Sequence, residues 1–354
     1  MKAWKLYDVN DIRYEEVPIP KLKQGEVLIK VKAAGICGSD IPRIFSTGAH
    51  KMPLIPGHEF SGEVTDIASD VESRWLNKRV GIFPLIPCMR CECCKKKMYE
   101  MCEDYNYLGS RRDGGFAEYV AVPEWNLIEL PENVSFEQGA MLEPMAVAIH
   151  AMKKITIEAN DNIAVYGAGT IGILMALCIK AYGYREPYVY VKHEFQRDVL
   201  LREGFSQSQI CINSQMDEKK WTNIVTEGHG MDCIYECVGR NESYSACLEL
   251  AAPKAKVCLI GNPYGDMKLD RKVYWNILRK QLMIVGTWNS SFKTDCSDDW
   301  NDAIRMMNEK RVCPEKLISH HYSISNLATG FELMNAKKEC YIKEMGLFFS
   351  PTRF

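Results

Sequence analysis

The sequence predicts an α/β protein in two parts, a β-rich domain and a doubly wound parallel-sheet domain of the dinucleotide-binding type. Three observations carry this reading: alternating apolar segments before about residue 150, a strand, turn and helix rhythm after about 155, and a G-x-G-x-x-G motif at the first such turn. At 354 residues the chain exceeds one ordinary core and suits two domains of about 150 to 200 residues each.

In the first stretch, Glu26 to Lys32 (EVLIKVK) places Val27, Ile29 and Val31 on one face of a strand, and Gly and Pro punctuate the remainder of the stretch. In the second, Ile163 to Tyr166 reads as a buried strand, Thr170 to Tyr182 as a helix stopped by Gly183, and Pro187 to Val191 as the next strand. Later strands are expected at Gln209 to Ile212, Asp232 to Glu236, Lys256 to Ile260 and Leu282 to Val285. Such alternation builds a parallel sheet covered on both faces. The last 60 or so residues are mixed, with an amphipathic helix around Trp300 to Lys310.

The motif Gly167, Gly169, Gly172 comes directly after the first of these strands and opens a helix. Backbone amides there, with Thr170 and Ile171 at the helix start, can receive a dinucleotide pyrophosphate. The other reading is a tight turn with close strand–helix packing and no ligand. An NAD site should carry an acid about 20 residues on, at the end of the next strand. This chain has Lys192, His193 and Glu194 there, with Arg197 one turn later. Basic groups suit a 2′-phosphate, so the cofactor is read as NAD or NADP, leaning to NADP. Alternatively Lys192 and Arg197 are solvated, and Glu194 or nothing meets the ribose.

Cys88, Cys91, Cys94 and Cys102 have the spacing C-x2-C-x2-C-x7-C. Four convergent thiolates complete a tetrahedral structural zinc and leave no position for substrate. A disulfide knot or an iron–sulfur site is the alternative, and Cys93 competes with Cys94 as ligand. With 15 cysteines scattered through the chain, a reducing compartment is expected rather than a disulfide scaffold. A net charge of -2 with 25% charged residues argues against nucleic-acid partners. The N-terminal segment lacks a signal-peptide core and no apolar run approaches about 18 residues, so a soluble cytoplasmic protein, off the membrane, is expected.

Cys37, His58 and Glu143 lie far apart in sequence, and spacing alone would leave them as a buried thiol, a satisfied histidine and a surface acid. Their surroundings change that. The strings GICGSD (Gly35 to Asp40), PGHEFSG (Pro56 to Gly62), the four-cysteine lobe, DGGFAEYV (Asp113 to Val120), MLEP (Met141 to Pro144) and GAGTIG (Gly167 to Gly172) resemble, in this order, the zinc-dependent medium-chain dehydrogenases. The similarity spans nearly the whole chain. Within that family the polyol dehydrogenases, in particular the branch acting on polyol phosphates such as galactitol 1-phosphate, share CGSDIPRIFSTGAH (Cys37 to His50), GSRRDGGFAEY (Gly109 to Tyr119), ILRK (Ile277 to Lys280) and GTW (Gly286 to Trp288).

The resemblance implies a GroES-like β-rich catalytic domain from residues 1–152 and 292–354, and a Rossmann domain from 153–291. It implies a catalytic zinc on Cys37, His58 and Glu143, with Glu59 as alternative ligand or supporting carboxylate, and hence two zincs per chain; cobalt or iron would also suit these ligands. The zinc would lower the pKa of a substrate hydroxyl, Ser39 would take the first proton, and hydride would pass between a secondary alcohol and the nicotinamide. Ser39 could instead serve only its turn. Pro42 stands where related enzymes often continue the relay with a histidine. Arg43, Arg111 and Arg112, with His50 and Lys51, are candidates for the far end of a phosphorylated substrate, and Trp288 and Asn289 for lining the polyol. An unphosphorylated polyol, a 2,3-diol, threonine or a pentitol phosphate is the alternative substrate. The family also implies a homodimer, or a tetramer built from it.

Overall fold

The computed structural model describes every residue except 264, 295–297, 338 and 349–354. The chain divides into two compact units, Met1–Glu143 with Ser291–Phe354, and Pro144–Ser290.

The first unit is built on a mixed sheet in the order Ile318–Ser323, Lys343–Leu347, Glu26–Ile36, Glu59–Ile67, Arg79–Ile82, Leu127–Glu129, with Tyr119–Pro123 also paired to Glu26–Ile36. The long strand Glu26–Ile36 is the hub. Val27, Ile29 and Val31 are fully buried while Lys30 is exposed, the alternation a half-buried strand requires. Two registers matter for function. Gly35 lies opposite Glu59 on one side, and Ile36 opposite Glu344 on the other, which brings the C-terminal strand's Lys343 to the end of the hub. A second cluster stacks Phe83 on Phe292 at 4.6 Å and sets Trp300 edge-on to both. The helix carrying Trp300 runs Asp299–Asn308; it starts one residue earlier than the sequence pattern because Asp298 caps it, accepting the amide of Asn301 at 2.9 Å.

The second unit is a parallel sheet of six strands, in the order Ile210–Ile212, Tyr188–Val191, Ile163–Tyr166, Met231–Glu236, Ala251–Leu259, Met283–Gly286. Strand order reverses beside Ile163–Tyr166, the switch point where such sheets bind nucleotides. Every residue of Ile163–Tyr166 and Tyr188–Val191 is buried, as strands covered on both faces must be. The helix after the glycine motif spans Thr170–Ala181, and Gly183 turns the chain away at φ +87°. The strand read from Lys256 in fact starts at Ala251. Pro253 and Lys254 look like a turn in sequence, but here they form a bulge, with Lys254 at φ +64° and its amide bonded to the carbonyl of Lys280.

The motif glycines have separate reasons. A Cβ at Gly172 would lie 1.8 Å from the Gly167 carbonyl oxygen, whereas one at Gly169 would meet nothing within 4 Å. Gly172→Ala is therefore expected to cost about 2–4 kcal/mol of stability and Gly169→Ala less than about 0.5, measured by denaturant unfolding.

Candidate metal and substrate site

The hub strand ends at Ile36, so Cys37 emerges from its tip; His58 immediately precedes the neighbouring strand, which Glu59 opens. Gly57 precedes them at φ +94°, and a Cβ there would strike Phe116 at 2.6 Å. These two strand ends bring Cys37, His58 and Glu59 together, with their ligand atoms all within 4.8 Å of one another.

Asp40 organises this group. Fully buried, it accepts the Cys37 amide at 3.0 Å, sits 3.4 Å from His58 Nδ1, and is paired with Arg43 at 2.9 Å. Burial alone would raise the Asp40 carboxyl and lower the His58 imidazole. The attraction of His58 and Arg43 outweighs it, holding Asp40 below the usual carboxylate range, and the charges of Asp40 and Cys37 hold His58 well above its own. Ser39 donates its hydroxyl to Cys37 Sγ at 3.3 Å and accepts Arg43 Nη1 at 3.2 Å. Arg43, expected from the sequence to face the substrate, is thus engaged by Asp40 and Ser39.

The carboxylate placed in the group is Glu59, where the sequence reading put Glu143 first. Glu59 forms a buried ion pair with Lys343, whose Nζ also donates to the Ile36 carbonyl at 3.0 Å. The pair needs Gly35: a Cβ there would lie 2.6 Å from Glu59 Oε2 and 2.8 Å from Lys343 Cε. Burial disfavours charge on Lys343, yet the facing charges of Glu59 and Cys37 raise its pKa overall. Glu143 stands beside the group, buried, with Tyr107 Oη 3.4 Å from its Oε1. The Tyr107 ring in turn lies edge-on to His58 at 5.8 Å. Desolvation pushes Glu143 up to about 7. One thiolate, one imidazole and one carboxylate, Glu59 in the group or Glu143 beside it, form a three-donor set that fits zinc with an open fourth position.

The second cysteine set is also assembled. Cys88, Cys91, Cys94 and Cys102 converge within 4.8 Å, with Cys88 to Cys94 and Cys91 to Cys102 sulfur separations of 4.0 Å. That spacing is twice a disulfide bond and close to the roughly 3.8 Å edge of a zinc tetrathiolate. Backbone amides of Cys88, Cys91 and Cys94 point at sulfurs of the set. Cys93 stays outside it.

Among the basic candidates, Arg112 is bound to Glu26 at 2.6 Å and to the Ala121 carbonyl, which makes it a structural brace. Arg111 lies over the Tyr105 ring at 4.3 Å. His50 is exposed; partial desolvation, then the nearby charges of Arg111 and Arg43, lower its pKa. Lys51 is exposed. In the second unit Arg197 is paired with Asp198 at 2.7 Å, His193 is stacked on Phe195, and Lys192 is exposed with no carboxylate partner among the described residues. Trp288 is exposed, and Asn289 takes a left-handed φ of +54° after the end strand. Sequence reasoning missed Asp40, Tyr107 and Lys343. Asp40 lay inside a quoted motif, three residues after Cys37; Lys343 showed only as a charge within the apolar alternation of a short strand.

Residues 23–132 match the alcohol dehydrogenase GroES-like domain and residues 170–309 the zinc-binding dehydrogenase family. The chain is 35% identical over 325 residues to galactitol 1-phosphate 5-dehydrogenase of Escherichia coli K12, covering 90% of this chain and 93% of that one. The crystal structure of galactitol-1-phosphate dehydrogenase from Escherichia coli superposes with a TM-score of 0.89 at 33% identity, covering 98% and 100% of the two chains. An Escherichia coli CFT073 alcohol dehydrogenase complexed with NADH gives a TM-score of 0.86 at 27% identity, with 98% and 99% coverage. A zinc-binding dehydrogenase of Sinorhizobium meliloti 1021 bound to NADP gives 0.86 at 25%, with 98% of each chain covered.

The charges lead to two expected outcomes. Lys343→Met leaves Glu59 buried without its cation and is expected to cost about 3–5 kcal/mol in urea unfolding. A carboxyl raised from 4.5 to about 7 makes the folded, metal-free protein bind more protons than the unfolded chain over that window, so stability falls as pH rises through it. Glu143→Gln removes the effect: with chelator present, its stability relative to wild type should rise from pH 5 to pH 7, and a pH-independent difference would refute this.

Proposed function

Because this chain belongs to the zinc-binding alcohol dehydrogenases, and is a nicotinamide-dependent polyol or alcohol dehydrogenase, we propose that its substrate is a sugar-alcohol phosphate of the galactitol 1-phosphate kind, oxidised to a ketose phosphate. The observation that supports the phosphate is Arg111, a half-buried guanidinium over Tyr105 with no carboxylate partner among the described residues; Tyr105 neighbours Tyr107, whose ring packs on His58. A neutral polyol would require no such unpaired cation near its binding site. The 35% identity to galactitol 1-phosphate 5-dehydrogenase of Escherichia coli K12, over 90% of this chain, supports the same substrate class.

Cys37 and His58, with Glu59 or Glu143, would hold the catalytic zinc, and Cys88, Cys91, Cys94 and Cys102 a structural one, two per chain. The catalytic ion supplies Lewis acidity that eases ionisation of the substrate hydroxyl. The chain's own residues do the rest. Asp40, 3.4 Å from His58 Nδ1, supplies the carboxylate that supports the imidazole. Ser39, which accepts from Arg43, would take the hydroxyl proton. Lys343 offsets one of the buried carboxylates, so the site does not accumulate negative charge where an anionic substrate must enter.

For the cofactor we favour NADP. The position of the expected ribose acid is Lys192, and its ammonium has no acid partner among the described residues. Arg197, already paired with Asp198, contributes less than its sequence position suggested. We also favour a homodimer through the end strand Met283–Gly286, where exposed Trp275, Leu278, Met283 and Trp288 leave an apolar face next to an unpaired strand edge. Among the described residues no helix is long and apolar enough to cross a membrane, and we place the protein in the cytoplasm.

The deciding experiment is kcat/KM for galactitol 1-phosphate against galactitol, each with NAD and NADP. A preference of about a hundredfold for the phosphate, close to 3 kcal/mol of transition-state binding, is expected. Equal rates on both would move the substrate to neutral polyols or diols. Metal analysis should find two zincs per chain, and one would mean that only the cysteine lobe is filled.

A further inference from the structure

We propose that Arg111 is the residue that binds the substrate's phosphate, and that Arg43 is not; this rests on the polyol-phosphate reading above. The segments around the Cys37 and His58 group supply four buried or half-buried cations, and three of them are neutralised within the protein. Lys343 is paired with Glu59, Arg43 with Asp40 and Arg112 with Glu26. Arg111 has no carboxylate within ion-pair distance among the described residues. Its Nη1 reaches only the Tyr105 carbonyl, at 3.3 Å, and its Nε is buried without a hydrogen-bond partner. A half-buried guanidinium in that state has lost hydration and has gained no anion in return.

The side chain is also held still. Its guanidinium carbon sits 4.3 Å from the Tyr105 ring centroid, a cation–π contact that restricts the side chain, and Nη2 has no partner among the described residues. Arg111 is tied to the site by its backbone, since its amide donates to the Tyr107 carbonyl at 2.9 Å and the Tyr107 ring packs against His58. The aromatic series from His58 through Tyr107 to Tyr105, with ring separations of 5.8 and 6.2 Å, thus leads from the metal group to Arg111. Solvent reaches Arg111 along a groove of about 480 Å³ in which the acid, Asp104, is taken by Arg90 at 2.5 Å. Among the arginines and the aspartate that line the groove, Arg90 and Asp104 pair with each other, which leaves the Arg111 guanidinium without a charge partner.

Arg43 and Arg111 should differ in kind. Arg43 bears on Asp40 and Ser39, which act on every substrate; Arg111 should matter only when a phosphate is present. The test compares kcat/KM for galactitol 1-phosphate and galactitol in wild type, Arg111→Gln, Arg111→Lys and Arg43→Lys, with inorganic phosphate as competitor. Arg111→Gln is expected to lose about a hundredfold on the phosphate ester and less than threefold on galactitol, chiefly through KM, and to abolish competition by inorganic phosphate. Arg111→Lys keeps the charge without the fork and should recover part of the loss. Arg43→Lys should lower both substrates alike. The assignment is overturned if Arg111→Gln keeps the wild-type preference for the ester, or loses activity equally on both substrates. If wild type itself shows no preference, competition by inorganic phosphate separates the two ideas. Competition that vanishes in Arg111→Gln retains the anion site and discards the polyol phosphate, while competition unchanged in that variant discards the site as well.

Discussion

The buried pair of Lys343 and Glu59 joins parts of the chain 284 positions apart and fixes the geometry on which the site depends. Lys343 lies on the C-terminal strand, Glu59 on the strand after His58, and both meet over Gly35 at the end of the hub strand. Each charge would be prohibitively costly alone in that environment, so the strands that carry them hold their register together or not at all. Cys37 and His58 are the immediate neighbours of those strand ends, and their convergence is a by-product of that register.

Around the pair, the first unit collects an unusual density of ionisable groups: Cys37, Asp40, Glu59 and Glu143 against Arg43, His58 and Lys343. Each has a distinct compensation. Asp40 is balanced by His58 and Arg43, Glu59 by Lys343, and Glu143 by desolvation that favours its neutral form. A divalent cation would add two positive charges among groups that can supply four negative ones beside an imidazole, and its binding would have to displace protons from His58 and Glu143. Metal uptake and protonation are therefore linked in this site through groups that do not all touch the ion.

The second unit obeys simpler rules. Its parallel strands are buried on both faces, its first turn removes a side chain where a Cβ would strike backbone oxygen, and an exposed lysine, Lys192, follows its second strand. Fold and ligand class come from pattern and sterics there.

The parts legible in the sequence were those with local causes. Alternation of Val27, Ile29 and Val31, the strand before Gly167, the glycine spacing and the four-cysteine run each arise from period, backbone sterics or ligand spacing within a few residues. Local pattern was enough to specify the two architectures, the parallel order of the second unit's elements and the residue types able to hold metal. That Glu59 lies in the group with Cys37 and His58 while Glu143 stands beside it depends on the folded chain, because Glu59 is paired with a lysine near the far end of the sequence. Folding likewise separated the three arginines, since Glu26 and Asp40 neutralise two of them through contacts that no local pattern encodes. Charge can be counted along a chain, but whether a charge is free depends on which partner the fold places within hydrogen-bond reach.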